Sequence, residues 1–484
     1  MIIILGAGLT GLSCSYHIGH EHCLLLEESD RPFGRIAVHL EGGFTWDQGP
    51  HVSFTKNEYV RSLFQDAVNG EYDEYSVKVG NFFKGHWINH PAQFALHQVP
   101  QPLRAECLDS FLSTRQVAPG EAALTGNYMN WLESAFGPTF AHTFPAVYTM
   151  KYWTVEASEL TTDWVGQRIP WPSVQDVIDG SLAPLPRNNY YIDKVRYPRS
   201  GGYQSFALKM AAGSNLRLGA QVAKIDLAEK VIWLSTGERL PYSMLINTIP
   251  LPRFVALCGE VPQSVREAAA ELSCSQLTLV EAYAPQSNLR PENWIYVYDE
   301  DLLSTRLNFT EKLTPGNAPP GWTGVQAEVY SSRHKPLPTT PDNLGTLVLE
   351  EMIHMEVLDP SVRDSIAQGV ARVSTRSIPW ANVIFHHKTR PALNKIWEWL
   401  EAFGLDRDQD DTHPLTIWPQ SGVVALPGPP RGTLFMGGRY GQWKYFWSDD
   451  CVLRGREIAI QIGKDSNAFT ERGRTSKLPL TGRP

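Results

Sequence analysis

Met1-Ile2-Ile3-Ile4-Leu5-Gly6-Ala7-Gly8-Leu9-Thr10-Gly11 decides how this chain is read. Ile2–Leu5 is apolar without alternation, as in a parallel strand covered on both faces. The run is too short for a secretion-signal core and has no basic leader. A G-x-G-x-x-G follows at Gly6, Gly8 and Gly11. Residues 12–18 then read as a helix, and Cys23–Leu26 as a second strand ending at Glu27. Strand, glycine loop, helix, strand and acid fall in the order of a dinucleotide-binding βαβ unit. Gly6 allows the tight turn, Gly8 lets a pyrophosphate reach the backbone, and Gly11 lets helix and strand close up. The helix N-terminus offers free N–H groups to phosphate, and Glu27 accepts from ribose hydroxyls.

Composition bounds the partners. The chain has 484 residues, room for about three domain-sized units. Lys and Arg number 43 against 51 Asp and Glu, a net charge of −8, with no basic block. That argues against nucleic acid, where phosphate neutralisation dominates affinity. No apolar run approaches the ~20 residues of a membrane helix. Cys14, Cys23, Cys107, Cys258, Cys274 and Cys451 include no C-x-x-C pair, which fits a reducing, cytoplasmic setting rather than a disulfide or zinc scaffold. The adjacent His386 and His387 would face opposite ways on a strand, so they make a poor metal pair.

Two distant stretches look like returns to the first unit. Residues 215–226 read as a strand, followed by Asn247-Thr248-Ile249-Pro250. Near the far end, Thr433-Leu434-Phe435-Met436 leads into Gly437-Gly438-Arg439-Tyr440-Gly441 and a helix over 451–462. Between them, 76–189 looks mostly helical and aromatic. Alternating apolar runs at 277–283, 294–298 and 326–330 suggest an antiparallel sheet. The acidic residues 408–411 read as a solvated loop and 465–484 as a mobile tail.

The segment after Glu27 carries a family likeness. Ser29-Asp30-Arg31-Pro32-Phe33-Gly34-Arg35 and Phe44-Thr45-Trp46-Asp47-Gln48-Gly49-Pro50-His51 resemble the continuation found in FAD enzymes such as amine oxidases, protoporphyrinogen oxidases, carotene desaturases and UDP-galactopyranose mutases. Phe33 stands where the family has the first of two glycines. The resemblance implies an α/β fold: a discontinuous Rossmann-like FAD-binding domain with a helical insertion and an antiparallel-sheet substrate domain. Its pieces would be 1–75, 190–265 and 425–464, with the insertion at 76–189 and the substrate domain at 266–424. Gly6, Gly8, Gly11, Glu27, Arg35, Gly49, Val222, Gly438, Arg439 and Asp449 would hold FAD, with Val222 pairing its backbone to the adenine.

The order of motifs resembles most the mutases of the eukaryotic type. Gly49-Pro50-His51 resembles their loop beside the flavin, and His90-Pro91-Ala92-Gln93 the motif whose Gln holds uracil. Asn130-Trp131-Leu132 and Lys151-Tyr152-Trp153 resemble a helix pair covering the nucleotide. Trp294-x-Tyr296 with Arg306, and Arg439 with Tyr445, resemble the sugar and diphosphate contacts. The implied activity interconverts pyranose and furanose forms of a nucleoside-diphosphate sugar through a reduced-flavin N5 adduct, with NADPH or NADH as a possible reductant. His51, Arg306 and Arg439 would be catalytic. Gln93, Trp153, Trp294, Tyr296 and Tyr445 would bind substrate. Several family positions differ: Phe144-Pro145-Ala146-Val147 replaces a diphosphate arginine, Leu313 falls near an expected tyrosine, Asp449 replaces an asparagine, and no tyrosine is evident near Phe385-His386-His387-Lys388. The alternatives are an FAD oxidoreductase of the amine oxidase type, or a flavin-binding partner without turnover.

Overall fold

The structure is a computed structural model describing residues 1–116, 126–165, 169, 171–186, 192, 194–285, 289–407 and 432–463. The acidic loop at 408–411 and the tail at 465–484 lie outside the described residues.

Five parallel strands form the first sheet, in the order Leu434–Met436, Met244–Asn247, Ile2–Leu5, Cys23–Leu26, Leu216–Arg217. Ile2 pairs with Met244 on one side and Cys23 on the other. The absence of alternation in Ile2–Leu5 has a direct cause. Ile3 and Leu5 enter one core with Leu245 and Phe254, while Ile2 and Ile4 enter another with Leu12 and Phe435. Helix Leu9–Ile18 covers the second face and packs on helix Ser448–Gln461 at close range. A Cβ on Gly455 would stand 2.5 Å from Ser13 Cβ, and Ser13 Oγ donates to Val452 O at 2.6 Å. The stretch 215–226 is not one strand: Leu216–Arg217 joins this sheet, and after a turn Val222–Asp226 joins a separate three-stranded sheet.

The second sheet has seven strands in the order Arg372–Ile378, Gln276–Ala284, Thr323–Ser331, Arg306–Phe309, Trp294–Val297, Val79–Phe83, His86–Asn89. All pairs are antiparallel except Val79–Phe83 with Trp294–Val297. The start of the segment expected to be helical is therefore sheet. Its helices begin at Leu103–Thr114 and run through Tyr128–Phe136, Pro138–Thr143, Pro145–Trp153 and Val174–Leu182. They bury Phe111, Leu132, Phe136 and Phe144 as their own core. Asn127 accepts from Asn130 N and Ser173 from Asp176 N, each supplying a first-turn partner. All six cysteines are free. Among the described residues no helix is long and apolar enough to cross a membrane.

Candidate active site

A cavity of about 440 Å³ opens where the two sheets meet. One end is the glycine loop. Gly6 donates to Leu26 O at 2.8 Å and sits at φ +93°, a turn that favours glycine. A Cβ on Gly11 would stand 1.9 Å from Gly6 O, so helix and strand touch there. Gly8 has open space where a Cβ would project and lines the cavity, while its carbonyl accepts from Leu12 N at 2.9 Å. Phe33 takes φ +83°, the left-handed conformation that the family's glycine would adopt freely. Its N–H bonds Ala7 O at 2.9 Å, which keeps Gly34 against Gly8. Glu27 also lines the cavity. Its carboxylate accepts from Ala7 N at 2.8 Å and from Ser29 N and Oγ at 3.0 and 2.6 Å.

The same cavity reaches Gly438, at φ +79° with Thr10 Oγ1 2.9 Å from a would-be Cβ. Arg439 follows. Its Nε donates to Phe446 O at 2.9 Å and its Nη1 to Asn382 Oδ1 at 3.3 Å, and its guanidinium lies 5.0 Å from the Tyr445 ring. Asn382 Oδ1 also accepts from Tyr152 OH at 3.2 Å, and Tyr152 and Tyr445 hydroxyls lie 3.3 Å apart. The open side of Gly8, the acid at Glu27 and the Gly438 turn suit a dinucleotide with a pyrophosphate. Trp294, 3% exposed, adds an indole N–H with no partner among the described residues.

Arg306, Trp294 and Tyr296 come together by register. Tyr296 pairs directly across from Arg306, and Trp294 from Asn308, so all present one face. Arg306 does not meet the cavity as an unpaired cation. Its Nε and Nη2 form a fork with Glu328, both at 2.8 Å. Burial works against the Arg306 charge, but the Glu328 carboxylate outweighs it and keeps the guanidinium protonated.

His51 lines the cavity and donates Nδ1–H to Gly49 O at 3.0 Å. Burial, then the charge of Arg35, drives its pKa down to about 3, so the imidazole is neutral. Arg35 Nη1 is engaged by Gln48 Oε1 at 2.8 Å.

Other expected site residues lie elsewhere. Gln93 is in the turn Ala92–Phe94, beside Leu96, Cys107 and Phe111 in the helical insertion, and does not line the cavity. Trp153 is buried behind the wall, 5.3 Å from the Tyr445 ring, and supports it from outside. Val222 pairs with Leu234 at the edge of the small sheet and does not line the cavity. Asp449 sits in the first turn of its helix, between the cavity-lining Ser448 and Cys451, without lining it. His386 and His387 contact different carbonyls, Glu271 O and Ser158 O.

The sequence reading missed Glu328, Tyr330, Asn382 and Trp380, which all line the cavity. The alternation Gln326-Ala327-Glu328-Val329-Tyr330 carries a signal for the first two: polar or phenolic side chains on one face of a buried strand need partners.

A second buried histidine offers a check on these environments. The His90 ring lies 4.7 Å from that of Tyr296, tilted by 35°, its Nδ1–H donates to Asn81 Oδ1, and burial pushes its pKa down to about 3. Unfolded, it titrates near 6.5, so the unfolded state binds the extra proton between the two values. The stability that His90 contributes is full above about pH 6.5 and is lost on acidification, by up to about 1.4 kcal/mol per pH unit. In His90→Gln, urea unfolding between about pH 6 and pH 4 should show a slope shallower by about one histidine's worth.

Comparisons with known proteins bear on the family and the fold. A profile for NAD(P)-binding Rossmann-like domains matches residues 4–67, and one for flavin containing amine oxidoreductases matches residues 93–459. Among solved structures, a reduced UDP-galactopyranose mutase superposes with a TM-score of 0.79 at 20% identity, covering 97% of this chain and 98% of the other. A putative protoporphyrinogen oxidase from Exiguobacterium gives 0.66 at 15% identity, covering 95% and 98%. Cyclohexylamine oxidase from Brevibacterium oxydans gives 0.62 at 14%, covering 96% and 98%. At these identities the likeness is one of fold. The family profile spans most of the chain, and the chain belongs to the flavin containing amine oxidoreductase family.

Proposed function

We propose that this chain is an FAD-dependent enzyme that interconverts the pyranose and furanose forms of a nucleoside-diphosphate sugar. The observation that carries this reading is the lining of one cavity by Arg306, Arg439 and the phenols of Tyr152, Tyr296, Tyr330 and Tyr445. Guanidinium groups grip phosphate oxygens as planar forks, and phenols suit sugar hydroxyls and stacking. When bound and reduced, the flavin supplies an electron-rich nitrogen. The chain's part is positioning. Arg439, steadied by Phe446 O and Asn382, takes the leaving diphosphate with the outer edge of Arg306. Trp294 and Tyr296 orient the sugar. His51, neutral, shapes the loop and contributes no cation. Tyr445 is a phosphate partner, and Trp153 stiffens it from behind. Gln93 stands outside this lining, in the helical insertion.

FAD-loaded protein reduced with dithionite should convert at least one member of a UDP-, dTDP- and GDP-hexose panel. The oxidised protein should convert none. A panel left unchanged under reduction counts against the reading.

One observation favours a second reading, an FAD oxidoreductase taking hydride from an amine. Glu328 already balances Arg306, leaving the cavity less cationic than a diphosphate prefers. Substrate-driven flavin bleaching with peroxide on reoxidation, across an amine panel, distinguishes it.

A further inference from the structure

The strand Thr323–Ser331 is buried along its whole length, yet it carries an amide and a carboxylate. Val325, Ala327 and Val329 enter an apolar core. Gln326 and Glu328, each 1% exposed, point the other way. Burying such groups is costly unless every polar atom finds a partner.

Gln326 finds three. Its Oε1 accepts from Gly49 N at 3.2 Å. Its Nε2 donates to Asp47 O and to Glu281 Oε1, both at 2.9 Å. Glu281, its cross-strand partner, is held in turn by Arg376. Asp47 is fixed from the other side by Tyr197 OH at 2.8 Å and Tyr203 N at 3.1 Å. Gly49 leaves no room to slip, because a Cβ there would stand 2.4 Å from Glu328 Oε1. The loop that carries His51 into the cavity is thus tied at its neck to the sheet by one side chain. Arg35 and Gln48 hold its outer edge, and paired backbone bonds between Ser53 and Arg196 hold its far end.

We propose that Gln326 is a positioning residue for the cofactor: its amide sets where the Gly49–His51 loop stands in the flavin cavity. The chain Arg376–Glu281–Gln326–Gly49 makes the substrate sheet a rigid reference for that loop. This rests on flavin occupying the cavity and not on which substrate is turned over. The test therefore uses no substrate, and its failure is separable from failure of the mutase reading.

The experiment compares FAD-loaded wild type, Gln326→Leu and Gln326→Glu. The readouts are the flavin's visible spectrum, its midpoint potential, the FAD Kd and thermal unfolding. Leu fills the space but leaves Gly49 N and Glu281 without their partner. The FAD Kd should rise about tenfold, roughly one buried hydrogen bond, with the spectrum and potential displaced. In Gln326→Glu the new carboxylate faces Glu281, Asp47 O, Glu328 and Arg376. Protonated, it restores the donor; ionised, it is repelled. The Asp47 carboxyl, pushed by burial up to about 7, is present in both proteins, so the flavin spectrum of Gln326→Glu should show a pH dependence additional to the wild type's. Should Gln326→Leu fail to fold, the pH titration of Gln326→Glu decides alone. Wild-type spectrum, potential and FAD Kd in Gln326→Leu, with only a lowered unfolding temperature, overturns the proposal. So does a Gln326→Glu spectrum whose pH dependence is the same as the wild type's.

Discussion

Gly11→Ala should yield a protein that has lost its yellow colour and unfolds several degrees early, while Gly8→Ala should lose flavin and keep its stability. The two glycines are three residues apart in one motif, but their surroundings differ. The added methyl at Gly11 would stand 1.9 Å from Gly6 O, and a backbone carbonyl cannot swing aside as a flexible side chain can. Helix Leu9–Ile18 must back away from its strand, taking the phosphate-facing N-terminus with it. Overpacking of this kind costs about 1–3 kcal/mol and sometimes more. At Gly8 nothing lies within 4 Å of the added methyl, and φ is −72°, which alanine accepts. The methyl then projects into unfilled space at the cavity wall, where a pyrophosphate has to approach. Bound flavin measured by absorbance and stability measured by calorimetry separate the two outcomes. Equal loss of stability in both variants would contradict the roles given to these residues.

What the sequence discloses follows from how local the cause is. The first strand, glycine loop and helix are legible because their determinants lie within thirty residues and both faces of the strand are covered. The junction at Gly437-Gly438-Arg439 is legible for the same reason: strand, turn and helix are contiguous. Residues 79–89 open a segment expected to be mostly helical, but they form a hairpin, Val79–Phe83 antiparallel to His86–Asn89, whose first strand also pairs in parallel with Trp294–Val297, more than two hundred residues away. That distant partner is not announced within the stretch. Gln93 is a different case, placed outside the cavity lining. Four residues of motif, His90 to Gln93, can match a family pattern while the backbone turns the glutamine toward Cys107 and Phe111. Phe33 shows the limit of substitution reasoning. The chain keeps the left-handed turn without the glycine, at a strain of about 1–2 kcal/mol, because its N–H is anchored to Ala7 O.

Arg306→Met should be the most destabilising change in the cavity, and Glu328→Leu added to it should restore most of the loss. The fork joins a guanidinium that is 20% exposed by side chain to a carboxylate that is 1% exposed. Removing the arginine leaves Glu328 buried beside the Gly49 loop with no counter-charge, a situation that costs about 3–5 kcal/mol. Replacing both partners by apolar groups removes the orphan, and such paired replacements are often neutral. Chemical denaturation of the two variants measures this directly. Ligand binding must then behave in the opposite way. If the outer edge of Arg306 holds phosphate, UDP binding to the double variant stays weak, by about one to two orders of magnitude for a lost charged hydrogen bond, although the fold is repaired. Recovery of UDP affinity together with stability would mean that Arg306 exists to neutralise Glu328 rather than to hold a diphosphate. The amine-oxidising reading would then gain, since an apolar, phenol-lined cavity without a phosphate grip suits a small organic cation or neutral amine better than a nucleotide.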